Sequence, residues 1–440
     1  MAGAEASLSP VAASTRPGSN PTFVLGMLCF VYVLNFLDRQ LLSILAKPIQ
    51  DALQISDGQL GLISGLYFAM FYCFIAIPVG WFADRTSRVG VLSAACAIWS
   101  GATVACGMAA NYTQLVVARM VVGFGEAGGV PPSYAIITDT YPPGKRAAAL
   151  GIFNLGPAIG AAAGVAFGAA IAERFGWRIP FIAVGAIGIV TALAVWLTVR
   201  EPTRGATDVA ATPSIPSADD KAAFWPTVRM FLLHPVLMLA ALGSGATQFV
   251  TYGLGNFAVL FLMREKGMEL GDVAVWYALV LLIGMGGGMI VSGRVIDRMV
   301  RKSRAGYAIA PAISLAVAMP FYLAFVWAPG WPLALALLTV VMVFNYFYLS
   351  ASVALVQEEV KPNQRVLAGA LLLLIMNFIG LGLGPTWVGF ASDWFKAQGD
   401  LHGLQTALYT LTPFYVIAIG LFLWLARLLR RQDGRQEIQA

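Results

Sequence analysis

The sequence predicts an all-α membrane protein: twelve transmembrane helices in two pseudo-symmetric six-helix bundles. Three observations lead there. Of 440 residues, 59% are hydrophobic and only 11% charged, against roughly a quarter charged in a soluble domain. The mean hydropathy is +0.76, which fits repeated bilayer crossings better than one soluble core. A charged loop motif also occurs twice, at matching places in the two halves of the chain.

Each crossing takes about 20 mostly apolar residues. Such runs lie near 22–46, 59–83, 89–109, 113–136, 147–171 and 179–199, and then near 231–262, 272–295, 306–326, 332–357, 364–392 and 405–428. The chain divides into a disordered cytoplasmic tail (1–21), an N-terminal bundle (22–199), a Pro-rich cytoplasmic linker (200–229), a C-terminal bundle (230–428) and a cytoplasmic C-terminal tail (429–440). The N-terminal tail lacks the basic start and short apolar core of a signal peptide.

Lys and Arg set the orientation. With both termini in the cytoplasm, 20 of the 28 fall on that side, and only Lys47, Arg174, Arg178, Arg264, Lys266 and Lys396 fall outside. This is the positive-inside asymmetry. The net charge of +6 therefore reflects topology and excludes nucleic acid as a partner. Cys29, Cys73, Cys96 and Cys106 lie in apolar runs without metal-ligand spacing. Two histidines, His234 and His402, are too few for a histidine metal site or proton relay. No metal or other cofactor is expected.

The repeat defines the architecture. Gly80-Trp-Phe-Ala-Asp84-Arg85, followed by Arg88, comes after the second span. Gly293-Arg-Val-Ile-Asp297-Arg298, followed by Arg301, comes after the eighth, offset by 213 residues throughout. An internal repeat at this spacing marks duplicated halves. An Asp here can meet the positive end of a helix in the opposite half. The arginines can pair with carboxylates ending the fourth span of each half, Asp139 and Glu358 or Glu359. Together these form a cytoplasmic latch, closed when the central site faces outward.

Ionisable residues inside spans are costly and mark function. Four stand out: Asp38 and Arg39 in the first span, Arg119 and Glu126 in the fourth. At 1.5 Å per residue, Asp38 and Arg119 lie roughly 24 and 26 Å from the cytoplasmic ends and Glu126 roughly 15 Å. Asp38 can then pair with Arg119, and Arg39 can lean toward Glu126. Glu126 is the favoured proton carrier and Asp38 the second. A static salt-bridge cluster is the alternative. Applying the internal offsets places Asn345 opposite Glu126, Leu338 opposite Arg119 and Thr251 opposite Asp38. The second half thus replaces charge with neutral groups, with Gln248, Tyr252, Asn256, Tyr346, Tyr348 and Asn377 nearby. One charged wall and one aromatic, apolar wall suit an amphipathic solute, with Arg39, Glu126, Arg119, Asn35, Asn345, Tyr348 and Thr251 as binding candidates.

Glycines recur every four residues in the fifth span, at 156, 160, 164 and 168. That spacing lets a neighbouring helix approach closely. Gly380, Gly382, Gly384 and Pro385 give the eleventh span a similar seam.

The paired loop motif resembles the major facilitator superfamily over essentially the whole length. Arg119-xxx-Gly123-Phe-Gly125 and Gly151-xxxx-Gly156-Pro157-xx-Gly160 look like that family's fourth- and fifth-helix motifs. Asn35-Phe-Leu-Asp38-Arg39, Gly123-Phe-Gly125-Glu126-Ala127 and Val199-Arg200-Glu201-Pro202-Thr203-Arg204-Gly205-Ala206 are similar to the Spinster branch, more strongly in the first half. That resemblance implies alternating access for a lysophospholipid or sphingosine-type lipid, coupled to protons, in a monomer of a bacterial inner membrane. By it, Asp38, Arg39 and Glu126 bind the headgroup or carry protons. A carrier of drugs, sugars or organic anions on the same scaffold is the competing reading. A membrane enzyme is disfavoured, because no HExxH, GxxxxGK[ST] or nucleophile–base set lies near a span.

Overall fold

The computed structural model describes residues 20–83, 85–203, 224–361 and 364–439. Most of the expected N-terminal tail and linker, and Asp84 of the first loop motif, lie outside them. The described residues are helical throughout, without a strand. Among the described residues, eleven helices are long and apolar enough to cross a membrane: Pro21–Ile44, Asp57–Gly80, Arg88–Met108, Gly144–Phe175, Arg178–Thr198, Pro235–Lys266, Leu270–Val300, Gly306–Trp327, Trp331–Glu359, Leu367–Ala397 and Gly403–Asp433.

The fourth expected span, 113–136, differs. It is two helices in tandem, Tyr112–Glu126 and Val130–Thr140, joined by a turn at 127–129. The reason is local: Gly128-Gly129-Val-Pro131-Pro132 combines the two poorest helix formers. The second helix starts with proline in its first turn, where the missing N–H does no harm. The expected linker also ends early. Phe224–Leu233 is a separate helix, and the seventh span begins at Pro235 after a break at His234.

Large apolar side chains cover the bundle's outside. Val190, Trp196 and Leu197 of the sixth span are 64–68% exposed, and many neighbours resemble them. A bilayer removes such a surface from water, so this is an integral membrane protein. Ends are capped by side chains: Ser56 and Gln59 form a capping box before the second span, and Asn111 caps the fourth. Glu201, in the stretch after the sixth span, accepts from Ser87 Oγ and from the backbone N–H of Arg88 and Val89. It thereby caps the third span with a carboxylate.

The glycine stripe packs as expected. A Cβ at Gly160 would lie 2.4 Å from the Val33 carbonyl oxygen, and one at Gly164 2.7 Å from that of Leu37. The fifth span therefore lies backbone-to-backbone on the first. Gly160→Val is expected to destabilise the purified protein by about 2 kcal/mol, as overpacking does, read as a lowered midpoint of thermal unfolding. Gly151→Ala, where a Cβ meets nothing within 4 Å, is the control that should stay within error of wild type.

In the eleventh span, a Cβ at Gly384 would lie 2.4 Å from the Phe249 oxygen of the seventh. A second seam crosses between the halves. A Cβ added at Gly61 would lie 2.5 Å from the Pro385 oxygen, one at Gly65 2.6 Å from that of Gly382, and one at Gly389 2.3 Å from that of Asp57. This seam holds the halves together at the far end of the bundle, where the first span finishes and the second begins.

Candidate functional site

The fourth-span sequence explains how charge reaches the centre. A Cβ at Gly123 would lie 2.7 Å from the Phe68 oxygen, and one at Gly125 2.6 Å from the Trp99 nitrogen. Those two glycines bring the second and third spans onto the fourth. Glu126, next in sequence, is buried to 1% as a result.

Two carboxylates and two arginines meet there. Arg39 Nε donates to Glu126 Oε2 at 2.5 Å. The Arg39 guanidinium carbon also sits 4.6, 5.0 and 5.2 Å from the ring centroids of Tyr72, Phe36 and Phe68, in cation–π contact. Asp38 accepts from Thr103 Oγ1 at 2.7 Å. Its other oxygen lies 3.9 Å from Arg119 Nη1, too far for a direct hydrogen bond. Both pairings read from helix depth are therefore present, one tight and one open. Asp38 Oδ1, Arg119 Nε and Nη1, Glu126 Oε1 and Asn35 Oδ1 are buried and, among the described residues, have no hydrogen-bond partner.

A central cavity lies against this cluster, between the halves. Arg39, Arg119 and Phe68 line it from the first half, with Thr251, Tyr252 and Tyr346 from the second. Tyr277, Leu281 and Met285 of the eighth span and Met342 of the tenth add an apolar side. The eighth span holds wide helical turns at Val273–Tyr277 and Leu282–Gly286. Wide turns lengthen the helical period, so residues four apart stay on one face. The cavity's free volume is about 80 Å³, room for a few waters.

The other binding candidates stand elsewhere. Glu126 lies behind Arg39, fully enclosed. Asn345 exchanges hydrogen bonds with the Tyr415 hydroxyl at 3.0 and 3.1 Å, and is 0% exposed. Tyr348 and Asn35 are buried off the lining. The reading missed Phe68, Tyr72 and Thr103, which steer the charges. Phe68 and Tyr72 lie four apart on one helix face, a signal present but generic.

At the loop motifs, Arg88 pairs with Asp139, as expected. The second half differs. Arg304, not Arg301, bonds Glu359 at 2.6 Å, and Glu358 accepts from the Tyr307 hydroxyl at 2.5 Å. Arg301 Nε turns back to the Asp297 carbonyl. The repeat is thus exact in spacing but not in partners, because Tyr307 and Arg304 take up the carboxylates. These bonds each run within one half. Arg85, Asp297 and Arg298 are exposed, and a Cβ at Gly80 or Gly293 would meet nothing within 4 Å.

The far end holds a network that sequence reading missed. Asp57, 1% exposed, accepts from Arg264 at 2.9 and 3.1 Å, Ser392 at 2.6 Å and Lys396 at 2.5 Å, all from the second half. Gln50 donates to it at 2.7 Å. Asp393 in turn accepts from the N–H groups of Asp57 and Gly58. An acid opening an apolar span was the available sign.

Two helical halves, clasped at one end around a central charged cavity, describe a membrane carrier. The Major Facilitator Superfamily pattern matches residues 28–385, and the chain belongs to that superfamily; it is a transporter, not an enzyme. It is 31% identical to an MFS-type efflux pump of Mycolicibacterium smegmatis, over 94% of each chain. It is 26% identical to a hexuronate transporter of Bacillus subtilis, over 82% of this chain and 85% of that one. Among solved structures it is similar to a bacterial homologue of the human lysosomal transporter Spinster in an inward-facing, unoccupied conformation. The TM-score is 0.85 at 31% identity, covering 93% of this chain and 98% of that one. The Spinster likeness read from the motifs is thus found again in three dimensions.

Proposed function

We propose that this transporter moves an amphipathic anion, a lysophospholipid or sphingosine-type lipid, by alternating access coupled to protons. It works as a monomer in a bacterial inner membrane. Both termini and the 200–229 linker lie in the cytoplasm, which makes the far end the outer face and the present state inward-facing. One observation carries the reading: the buried Arg119 lines the cavity and, among the described residues, its Nε and Nη1 make no hydrogen bond, while Leu281, Met285 and Met342 line the same cavity from the second half. A buried cation that stands 3.9 Å from Asp38 without a direct hydrogen bond keeps donors for an anion, and the thioether and aliphatic wall calls for an apolar chain.

Coupling follows from the same cluster. A substrate anion that draws Arg39 or Arg119 away leaves Glu126 or Asp38 buried without its counter-charge, unless the carboxylate takes up a proton. Glu126 is the first carrier and Asp38 the second. The loop residues Gly80, Asp84, Arg85, Arg88, Asp139, Gly293, Asp297, Arg298, Arg301 and Glu358 form the cytoplasmic latch of the opposite state.

A small organic anion is the second reading. The cavity's modest free volume favours it, and so does the likeness to a hexuronate transporter. Uptake into proteoliposomes under an imposed pH gradient separates the two, with lysolipids and organic anions run side by side. Wild type is expected to move lysolipid in a gradient-dependent way, and Glu126→Gln to lose that dependence. Lysolipid flux unchanged in Glu126→Gln would remove the proton role. Flux of organic anion alone would select the second reading.

A further inference from the structure

The cavity has a second chemical layer that the charged cluster does not use. Toward the far end it is lined by Gln40 and Ser43 of the first span, Ser64 of the second and Asn256 of the seventh. These are neutral, and they come from both halves. Counting inward from the far-end network, Ser43 lies seven residues from Gln50, Ser64 seven from Asp57, and Asn256 eight from Arg264. At 1.5 Å per residue, all sit about 10–12 Å inside that seal. Those three form one level, a polar shelf roofing the cavity, and Gln40 reaches it from about one turn further in, roughly 15 Å from the seal. Arg39, Phe68 and Tyr252 lie one residue or one turn further in.

The shelf has bonding capacity to spare. Ser43 Oγ donates to the Gln40 carbonyl at 3.0 Å, and Ser64 Oγ to that of Leu60 at 2.9 Å. Each serine proton is committed to its own helix, leaving the oxygen to accept. Asn256 lines the cavity; its Nδ2 donates to the Tyr252 carbonyl at 2.9 Å, and among the described residues its Oδ1 accepts nothing. Among the described residues nothing bonds the Gln40 amide. Its Cβ rests near Gly164 of the fifth span, and this holds the side chain at the cavity edge. Gly255 also lines the shelf, and a Cβ there would meet nothing within 4 Å. So the layer offers acceptors, an amide donor and open space, but no charge.

We infer that this shelf recognises hydroxyl groups carried close to the substrate's anionic group, so that the preferred substrate is a hydroxylated anion. A hydroxyl both donates and accepts, which matches serine and asparagine oxygens beside a glutamine amide. A bare alkyl group there would leave those groups unpaired and is penalised. The inference rests on the anionic reading of the arginine cluster. Two sources carry the chemistry: the glycerol headgroup of a lysophospholipid, or the polyol of a sugar acid.

Equilibrium binding to the purified full-length protein tests it with two matched pairs. One pair is lysophosphatidylglycerol against an alkyl phosphate of the same chain length. The other is gluconate against hexanoate. Wild type is expected to prefer the hydroxylated member at least about tenfold in the pair that matches its source. Gln40→Leu and Asn256→Leu should each remove about tenfold from that member alone. Gly255→Leu, whose Cβ meets nothing within 4 Å, should weaken it similarly and keeps the test valid if a polar variant misfolds. Equal binding of both members in both pairs overturns the shelf. So do leucine variants that weaken both members alike. If those results come with binding that Arg119→Gln still weakens about a hundredfold, the anionic reading stands and only the shelf falls.

Discussion

Arg119→Gln is expected to lower the affinity for an anionic substrate about a hundredfold. The Arg119 side chain is only 3% exposed, and among the described residues its Nε and Nη1 make no hydrogen bond. Two hydrogen bonds to an anion, at about 1.5 kcal/mol each for charged partners, give about 3 kcal/mol, or about two decades in the dissociation constant. The substitution also strands Asp38, whose nearest cation is Arg119 at 3.9 Å. Asp38→Asn combined with Arg119→Gln removes that complication and should show the same loss. Arg119→Lys should recover part of the affinity, since it restores charge but not the planar fork. Equilibrium binding measures all three. An affinity unchanged in both glutamine variants would take the substrate anion away from Arg119.

Asp57→Asn is expected to open the far end. The Asp57 carboxylate joins the halves only while Arg264, Ser392 and Lys396 are within reach, so its bonds stabilise this state and not the opposite one. Breaking a fully buried ion pair costs about 3–5 kcal/mol. Arg264 and Lys396 are 26% and 37% exposed, and solvent screening lowers the figure to about 2 kcal/mol. That shifts the ratio of the two states about thirtyfold. Spin labels at Ala52→Cys and Gln398→Cys, both exposed at the far end, in a background lacking the native cysteines, report the distance. The long-distance population should grow in Asp57→Asn. An unchanged distribution would mean that the glycine seam of Gly61, Gly65 and Gly389 alone holds that end.

Much of this protein was legible in one dimension. The spans are local runs of apolar residues. Their ends agree within a few residues except where Gly128-Gly129 and the following prolines break the fourth. The loop repeat is a pattern at a fixed offset, and the glycine stripe at 156, 160, 164 and 168 is a helical period. Asp38, Arg39, Arg119 and Glu126 announced themselves because charge within an apolar run is rare and costly.

What the sequence by itself determined is therefore the architecture, the duplication and the charged set: each depends on composition or spacing along the chain. Tertiary structure decided the partners. It drew Asn345 out of the cavity lining by giving it Tyr415, and gave Glu359 to Arg304 rather than Arg301. It surrounded Arg39 with Phe36, Phe68 and Tyr72, and gathered Asp57, Arg264, Ser392 and Lys396 from three spans into one clasp. The rotation of each helix about its axis selects these contacts. That rotation is fixed by close packing between helices distant in sequence, at places such as Gly123, Gly125 and Gly160, and no single segment carries it.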